Sequence, residues 1–73
     1  MKSEFWAREA KLVLGATIKR SGLTYQQLAT RLTEIGVNET VASIKNKMRR
    51  GSFSFVFVLQ VLKALGRDRL DVK

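Results

Sequence analysis

Four polar residues lie at helical spacing in the middle of the sequence, at positions i, i+3, i+4 and i+7: Ser43, Asn46, Lys47 and Arg50. On a helix, this spacing places the four side chains on one face. Asn can bond to N6 and N7 of adenine, Arg or Lys can bind O6 and N7 of guanine, and Ser can donate or accept a hydrogen bond. The stripe therefore has the donors and acceptors that a DNA major groove requires. Any surface helix of a basic protein also has a polar face with some lysines. The stripe could therefore equally be a solvated face that binds no ligand.

The positive charge of the chain is concentrated in the same segment. The chain has 14 Lys and Arg against 6 Asp and Glu, a net charge of +8 at pH 7, which predicts attraction to phosphate-rich or other acidic partners. Residues 40–67 contain no acid, and four basic residues fall within six positions: Lys45, Lys47, Arg49 and Arg50. We expect Lys45 and Arg49 to bind backbone phosphates. Lys11 and Arg20, nearer the N-terminus, could add to these contacts or simply form a solvated face.

Histidine and cysteine are absent from the chain. Their absence removes the usual general base near neutral pH, the thiolate nucleophile and nearly every zinc-site pattern. The six carboxylates show no metal-ligand spacing, so we expect no enzyme activity, no metal, no cofactor and no small-molecule substrate. The longest apolar run, residues 55–59, is too short to cross a membrane. No secretory signal is recognisable, so the expected location is cytoplasmic.

A single helical domain over residues 1–66 must position these side chains, with a weakly ordered tail over 67–73. Residues 3–20 predict the first helix, with Ser3 as its N-cap. Apolar or small residues recur there at three- and four-residue steps and predict an inward stripe: Trp6, Ala10, Val13, Leu14, Thr17 and Ile18. Gly15 interrupts this helix at a cost of about 1 kcal/mol relative to Ala, which indicates close approach of another helix.

Two further helices are predicted on either side of Gly36. Thr24, followed three residues later by Gln27, is a capping box and predicts the start of the second helix. Its inward stripe is expected to consist of Leu28, Ala29, Leu32 and Ile35. Residues 40–50 predict the third helix, with Asn38 or Thr40 as cap. Its inward face is expected to consist of Val41, Ile44 and Met48.

The segment after Gly51 is ambiguous, because its apolar residues fit two periods. Phe53, Phe55 and Phe57 alternate as in a strand. A helix from Ser54 to Gly66 is favoured by its length and by a three- and four-residue repeat: Val58, Leu59, Leu62 and Leu65. A helix this apolar needs cover on most sides, so it is either central to the core or partly a dimer surface. The aromatic residues Phe5, Trp6, Phe53, Phe55 and Phe57 are expected in the core rather than stacking on bases.

Residues 23–66 resemble the helix-turn-helix domain of the phage-repressor or Cro type. The resemblance consists of Leu-Thr-x-x-x-Leu-Ala opening the second helix, a Gly-Val turn, a basic third helix ending at Arg50-Gly51, and a last helix ending Lys-Ala-Leu-Gly. The chain is also similar to an uncharacterised family of short bacterial proteins. The resemblance implies a compact four-helix, all-α domain of the lambda-repressor-like type that binds duplex DNA, usually as a dimer, with the third helix in the major groove.

Two departures from that family affect the expected interface. The family commonly has Gln directly after the helix-two cap, whereas this chain has Tyr25 there, followed by Gln26. Tyr25 could reach a phosphate oxygen or pack as an aromatic residue. The turn glycine, Gly36, comes seven residues after Ala29 instead of about four, so the second helix or the turn is longer. This changes the expected angle of the recognition helix.

The sequence therefore predicts a sequence-specific duplex-DNA-binding protein, a small transcriptional regulator with residues 40–50 in the groove. Its predicted DNA-binding residues are Ser43, Asn46, Lys47, Arg50, Lys45, Arg49, Tyr25 and Gln26. Residues 53–62 are the expected surface if the protein is a homodimer. The alternatives are an antitoxin-like protein-interaction module that uses this apolar surface, and nonspecific binding of DNA or RNA.

Overall fold

The computed structural model describes residues 3–70, which form four α-helices and no strand. The helices are α1 (Ser3–Ser21), α2 (Tyr25–Glu34), α3 (Val41–Arg50) and α4 (Phe55–Leu65). The prediction of an all-α, four-helix domain is confirmed. The strand alternative for residues 53–61 is wrong, because the three- and four-residue repeat that faces the core decides the conformation of this segment.

Side-chain caps fix where the three later helices begin. Thr24 Oγ1 accepts a hydrogen bond from the Gln27 amide (3.1 Å), and Gln27 Oε1 accepts one from the Thr24 amide (2.9 Å), so the predicted capping box is confirmed. Thr40, not Asn38, caps α3. Ser54 Oγ accepts from the Phe57 amide (3.0 Å), so α4 begins one residue after Ser54. These bonds satisfy amides that have no partner within the helix.

The core lies between the four helices, and six of the eleven residues of α4 are buried in it. Among residues 3–70, α2 packs on α3 and α4, and α1 packs on the same two helices but not on α2. The fully buried side chains come from every helix: Leu14, Thr17, Leu28, Leu32, Ile44 and Val61. The Met48 methyl lies 3.7 Å from the position that a Cβ at Gly15 would occupy. This is an ordinary van der Waals distance to the end of a flexible side chain, so the structure does not show the close approach of another helix that Gly15 indicated.

The end of α3 is seated against the start of α1. Gly51 terminates α3 in the left-handed conformation, with φ of 67°, and its amide donates to the Lys47 carbonyl. A Cβ at Gly51 would lie 2.1 Å from the carbonyl oxygen of Ala7, so this position has no room for any side chain. The junction holds the C-terminal end of α3 in a fixed place relative to α1.

Several apolar side chains expected in the core are exposed instead. Trp6 is 58% exposed and Phe5 is also outside, because the end of α3 covers the first turns of α1 only at Ala7 and leaves these two side chains uncovered. Ile35 follows the last residue of α2 and points to solvent. Phe55 (69% exposed) and Leu59 (50% exposed) lie on the face of α4 that no other described helix covers. Phe57 is buried and Phe53 half-buried, as expected.

The two ends of the described chain differ from what the sequence predicts. Ser3 is already helical, so it is not the N-cap that the sequence predicted. In the segment predicted to be weakly ordered, Leu70 is half-buried against the core, and residues 71–73 lie outside the described part. None of the helices in residues 3–70 is long and apolar enough to cross a membrane.

Candidate nucleic-acid interface

The solvent-facing side of α3 is defined by the residues that its core face leaves outside. Ile44 and Met48 are buried. The exposed residues follow at i, i+3, i+4, i+7 and i+8: Ala42, Lys45, Asn46, Arg49 and Arg50. We call these five residues the outer face of α3. It carries three cations and one amide, and it contains no carboxylate.

Ser43 and Lys47, which the sequence placed on the outward stripe, lie on the flank of α3 and bind Glu39. Lys47 Nζ forms a salt bridge with Glu39 Oε2, and Ser43 Oγ donates to Glu39 Oε1 at 2.6 Å. Ser43 also completes a capping box, because its Oγ accepts from the Thr40 amide at 2.9 Å. Lys47 Nζ lies 4.6 Å from the centre of the Phe57 ring, close enough for a cation–π contact. Both residues are half-buried.

The charge on Glu39 is stabilised by these partners. Burial alone would raise the pKa of Glu39, but the hydrogen bonds from Lys47 and Ser43 and the attraction of the Lys47 ammonium outweigh burial, and the pKa is lowered from its usual 4.5. Glu39 is therefore ionised at neutral pH and neutralises Lys47 locally. Its side chain is only 9% exposed, whereas that of Lys47 is 30% exposed. We call Glu39, Ser43 and Lys47 the Glu39 cluster.

Asn46 and Arg49 contact each other on the outer face. Arg49 Nη2 donates to Asn46 Oδ1 at 3.2 Å, one helical turn away. Lys11, on α1, reaches the Arg49 carbonyl with its Nζ at 3.5 Å. Its ammonium therefore lies at the C-terminal end of α3, where the helix dipole favours a cation. The predicted phosphate contact Lys11 thus lies beside the outer face, although it comes from another helix.

The start of α2 lies next to the start of α3. Gln26 is exposed and lines a shallow groove together with Thr40, Val41 and Ala42. Tyr25, one residue earlier, is half-buried and packs against the core. The structure therefore brings Gln26 towards the outer face, whereas the position of Tyr25 favours the packed aromatic interpretation.

Other kinds of site have little support in the described residues. Residues 3–70 hold no group of three His, Cys, Asp or Glu side chains that could bind a metal ion. The exposed rings of Phe5 and Trp6 pack edge to face with their centres 4.9 Å apart. Arg20, a predicted phosphate contact, is exposed at the far end of α1 from Ala7.

A family model described as Domain of unknown function (DUF6471) matches residues 6–70 of the 73-residue chain. The chain belongs to the DUF6471 family. The DUF6471 match takes in α2, α3 and α4 entirely, together with α1 from Trp6 onward. Neither curated proteins nor solved structures gave a match. The outer face and the Glu39 cluster of this DUF6471 domain therefore lie within the part of the chain that defines the family.

Two features of the interface were missed from the sequence. Ala42 was not assigned to any face, although it shares the outer face with Asn46 at i+4. The sequence pattern assigned Glu39 no partner. Glu39, Ser43 and Lys47 are spaced four residues apart, as neighbours on a helix surface are, but only Ser43 and Lys47 lie within α3. Glu39 precedes the helix, so helical spacing alone did not identify it.

Proposed function

We propose that this DUF6471 domain binds duplex DNA, with α2 and α3 acting as a helix-turn-helix of the phage-repressor or Cro type. The observation that carries the proposal is the outer face of α3, where Lys45, Arg49 and Arg50 surround one exposed amide, Asn46, without any carboxylate. A B-form major groove is about 12 Å wide and admits one α-helix. A small bacterial transcription regulator in the cytoplasm is the role that fits this chemistry.

The parts beside α3 have the chemistry that docking on a duplex needs. Lys11, at the C-terminal end of α3, and Lys45 would contact phosphates and make the affinity salt-dependent. Gln26 lies beside the first turn of α3, where a hydrogen bond to a phosphate would fix the position of the helix without reading sequence. The connection of residues 35–40 replaces the shorter turn of the family that the sequence resembles.

Selection of bound fragments from a random duplex library at about 0.15 M salt tests this proposal, because that salt concentration weakens nonspecific contacts. Enrichment of a motif supports it, and two half-sites about 10 base pairs apart would show dimeric binding. Lys45→Ala is expected to reduce the dependence of affinity on salt by about one phosphate contact. Lys63→Ala, at an exposed position on α4, is the matched charge control and should leave that dependence unchanged.

Two results would contradict sequence-specific binding. Salt-dependent binding without an enriched motif, equal on duplex DNA and double-stranded RNA, would indicate a nonspecific nucleic-acid binder. No binding to either polymer would leave a protein-interaction module as the remaining candidate.

We also propose that a second copy of this chain docks on the outward face of α4. Phe55, Val56 and Leu59 are exposed there, and residues 51–62 contain no charged residue. Two chains that each carry +8 repel each other, so an uncharged face is where a like copy can approach most easily. An acidic partner would find no positive charge on this face to bind.

Light scattering over a range of protein concentrations, with and without a selected duplex, tests self-association. We expect a dimer in the presence of two half-sites and its loss in Leu59→Glu, whereas Leu12→Glu, at an exposed position on α1, is the matched control and should not change it. A wild-type protein that stays monomeric under all these conditions would refute the second-copy assignment. The antitoxin-like interpretation would then account for the exposed face.

A further inference from the structure

The polar residues of α3 fall into two groups that differ in what they already bind. Ser43 and Lys47 use their polar atoms within the protein, on Glu39, Thr40 and the Phe57 ring. Asn46 and Arg49 are exposed, and their side chains bind each other. Of these four residues, only Asn46 and Arg49 can meet a ligand without first breaking a contact to Glu39, and the exposed Lys45 and Arg50 have no such contact either.

Removing Lys47 from the Glu39 cluster would leave a carboxylate that is 9% exposed without its cation. An ionised group in that position loses its main stabilising partner, which is unfavourable. Ser43 is held more firmly still, because its hydroxyl donates to Glu39 while it accepts from the Thr40 amide. The contacts to Glu39 therefore hold both side chains at the flank of α3, away from its outer face.

The hydrogen-bonding capacity of Asn46 and Arg49 is not exhausted by the bond between them. The Asn46 carbonyl oxygen has two lone pairs, of which Arg49 uses one, and its amide nitrogen has two donors. Asn46 can thus still accept from adenine N6 and donate to adenine N7. Arg49 has five N–H donors and uses one on Asn46, which leaves enough for O6 and N7 of guanine.

For an α3 axis that follows the groove, the two side chains are close enough together to reach neighbouring base pairs. Residues three apart on a helix are separated by about 4.5 Å along its axis, which is close to the rise of about 3.4 Å per base pair along a strand. Their mutual hydrogen bond further limits the rotamers of both side chains before any ligand arrives, so less conformational entropy is lost on binding.

We propose that Glu39 selects the side chains of α3 that read sequence: it withholds Ser43 and Lys47 and leaves Asn46 and Arg49 to recognise two adjacent purines, adenine by Asn46 and guanine by Arg49. This rests on the proposed binding of duplex DNA by α3. Glu39 is a positioning residue in this scheme, and Asn46 and Arg49 determine specificity.

The test is duplex selection with the full-length chain and four single variants: Asn46→Ala, Arg49→Ala, Ser43→Ala and Lys47→Met. Asn46→Ala should lose the preference for adenine at one position and weaken binding to the selected site about 5- to 150-fold. Arg49→Ala should lose guanine at the adjacent position by a similar factor. Ser43→Ala and Lys47→Met, which keeps the aliphatic stem, should enrich the wild-type motif.

A second measurement tests directly whether Glu39 withholds Lys47 from DNA. Glu39→Gln removes the charge that neutralises Lys47, so the released ammonium should tighten binding and make the salt dependence steeper by about one phosphate contact. The double variant Glu39→Gln with Lys47→Met should return the salt dependence to the wild-type value. Circular dichroism of each variant establishes that it is folded before it is compared.

Results that differ from these expectations would refute separate parts of the proposal: the reading pair of Asn46 and Arg49, the withholding of Lys47, or duplex binding itself. A motif that changes in Lys47→Met, or stays unchanged in Asn46→Ala and Arg49→Ala, refutes the reading pair while duplex binding stands. If the salt dependence of Glu39→Gln equals that of the wild type, the proposal that Glu39 withholds Lys47 is wrong. Wild-type binding without any motif also refutes the reading pair, and no wild-type binding to duplex DNA refutes the proposed function together with it.

Discussion

Replacing Gly51 by Ala is expected to destabilise the domain more than any other glycine substitution in its helix ends. The new Cβ would lie 2.1 Å from the Ala7 carbonyl oxygen, where ordinary contacts begin at 3.4 Å, so α1 and the end of α3 must separate by about 1 Å. Because the obstructing atom belongs to the backbone of a helix, no side-chain rotation relieves the overlap. The residue at position 51 must also keep a φ of 67°.

The expected loss of stability has two contributions, the left-handed φ at position 51 and the overlap of the new Cβ with the Ala7 carbonyl oxygen. A left-handed conformation costs a residue with a Cβ about 1–2 kcal/mol, and overpacking of a well-packed contact adds about 1–3 kcal/mol. The expected loss is therefore about 2–5 kcal/mol, against a total stability of about 4–11 kcal/mol for a domain of this length. Gly51→Ala should lose a large share of its folded population on mild heating.

Gly66→Ala is the matched control, because Gly66 has a similar φ of 72° and nothing lies within 4 Å of the place that a Cβ there would occupy. It should lose only the conformational contribution, about 1–2 kcal/mol. Thermal and urea unfolding followed by far-ultraviolet circular dichroism measures both variants, and Gly51→Ala should melt about 4–24 °C below Gly66→Ala. Equal melting temperatures would show that the start of α1 does not press on Gly51, and would refute this account of the junction.

Three further substitutions test the core, the caps and the Glu39 cluster by the same unfolding measurements. Leu28→Ala, at a fully buried position, should cost about 2–5 kcal/mol, whereas Leu12→Ala, at a 57% exposed position, should cost under about 1 kcal/mol; equal losses would contradict the assigned core. Thr40→Ala removes a cap and should cost about 0.5–2 kcal/mol, and an unchanged midpoint would argue against the cap. Glu39 has a lowered pKa, so its ionised form stabilises the fold above pH 4.5 and this contribution is lost as pH falls through the lowered value. The stability difference between wild type and Glu39→Gln should therefore shrink on acidification below pH 4.5, and a difference that grows there would refute the sign.

Most of the helix boundaries could be predicted because they are set by local chemistry. The capping box of Thr24 and Gln27 requires only two side chains and their own backbone. Gly51 and Gly66 end their helices through φ values that favour glycine. The inward stripes at Leu28, Leu32, Ile44 and Met48 follow the helical period, so the core residues in the middle of each helix were predicted as well.

The exposed aromatic residues could not be predicted, because exposure depends on which helices lie opposite. Trp6 continues the inward stripe of α1 in the sequence, but the end of α3 covers the neighbouring Ala7 and leaves Trp6 exposed. Phe55 and Leu59 lie in an almost uniformly apolar helix, where periodicity does not distinguish the covered faces from the uncovered one.

The candidate site was half predicted for a similar reason. Asn46 and Arg50 are exposed as the spacing indicated, whereas Ser43 and Lys47 turn towards Glu39. The pattern of polar residues locates the outward face of a helix only to within about one residue. One residue corresponds to a rotation of about 100° around the helix axis. The position of the α2–α3 connection, which brings Glu39 beside α3, decides that rotation, and it is a tertiary property.

The junction between Ala7 and Gly51 also has a consequence for the order in which the domain folds. Helices α2 and α3 follow one another along the chain and meet by closing a short loop, whereas the contact of α2 with α4 encloses α3, as between Arg31 and Ala64, 33 residues apart. The Ala7–Gly51 junction joins residues that lie far apart along the chain, and the entropy of loop closure rises with the length enclosed. Docking of the start of α1 on α3 is therefore expected to be a late event in folding and an early one in local unfolding. Amides in the first turns of α1 should exchange with solvent well before those around Leu28 and Leu32.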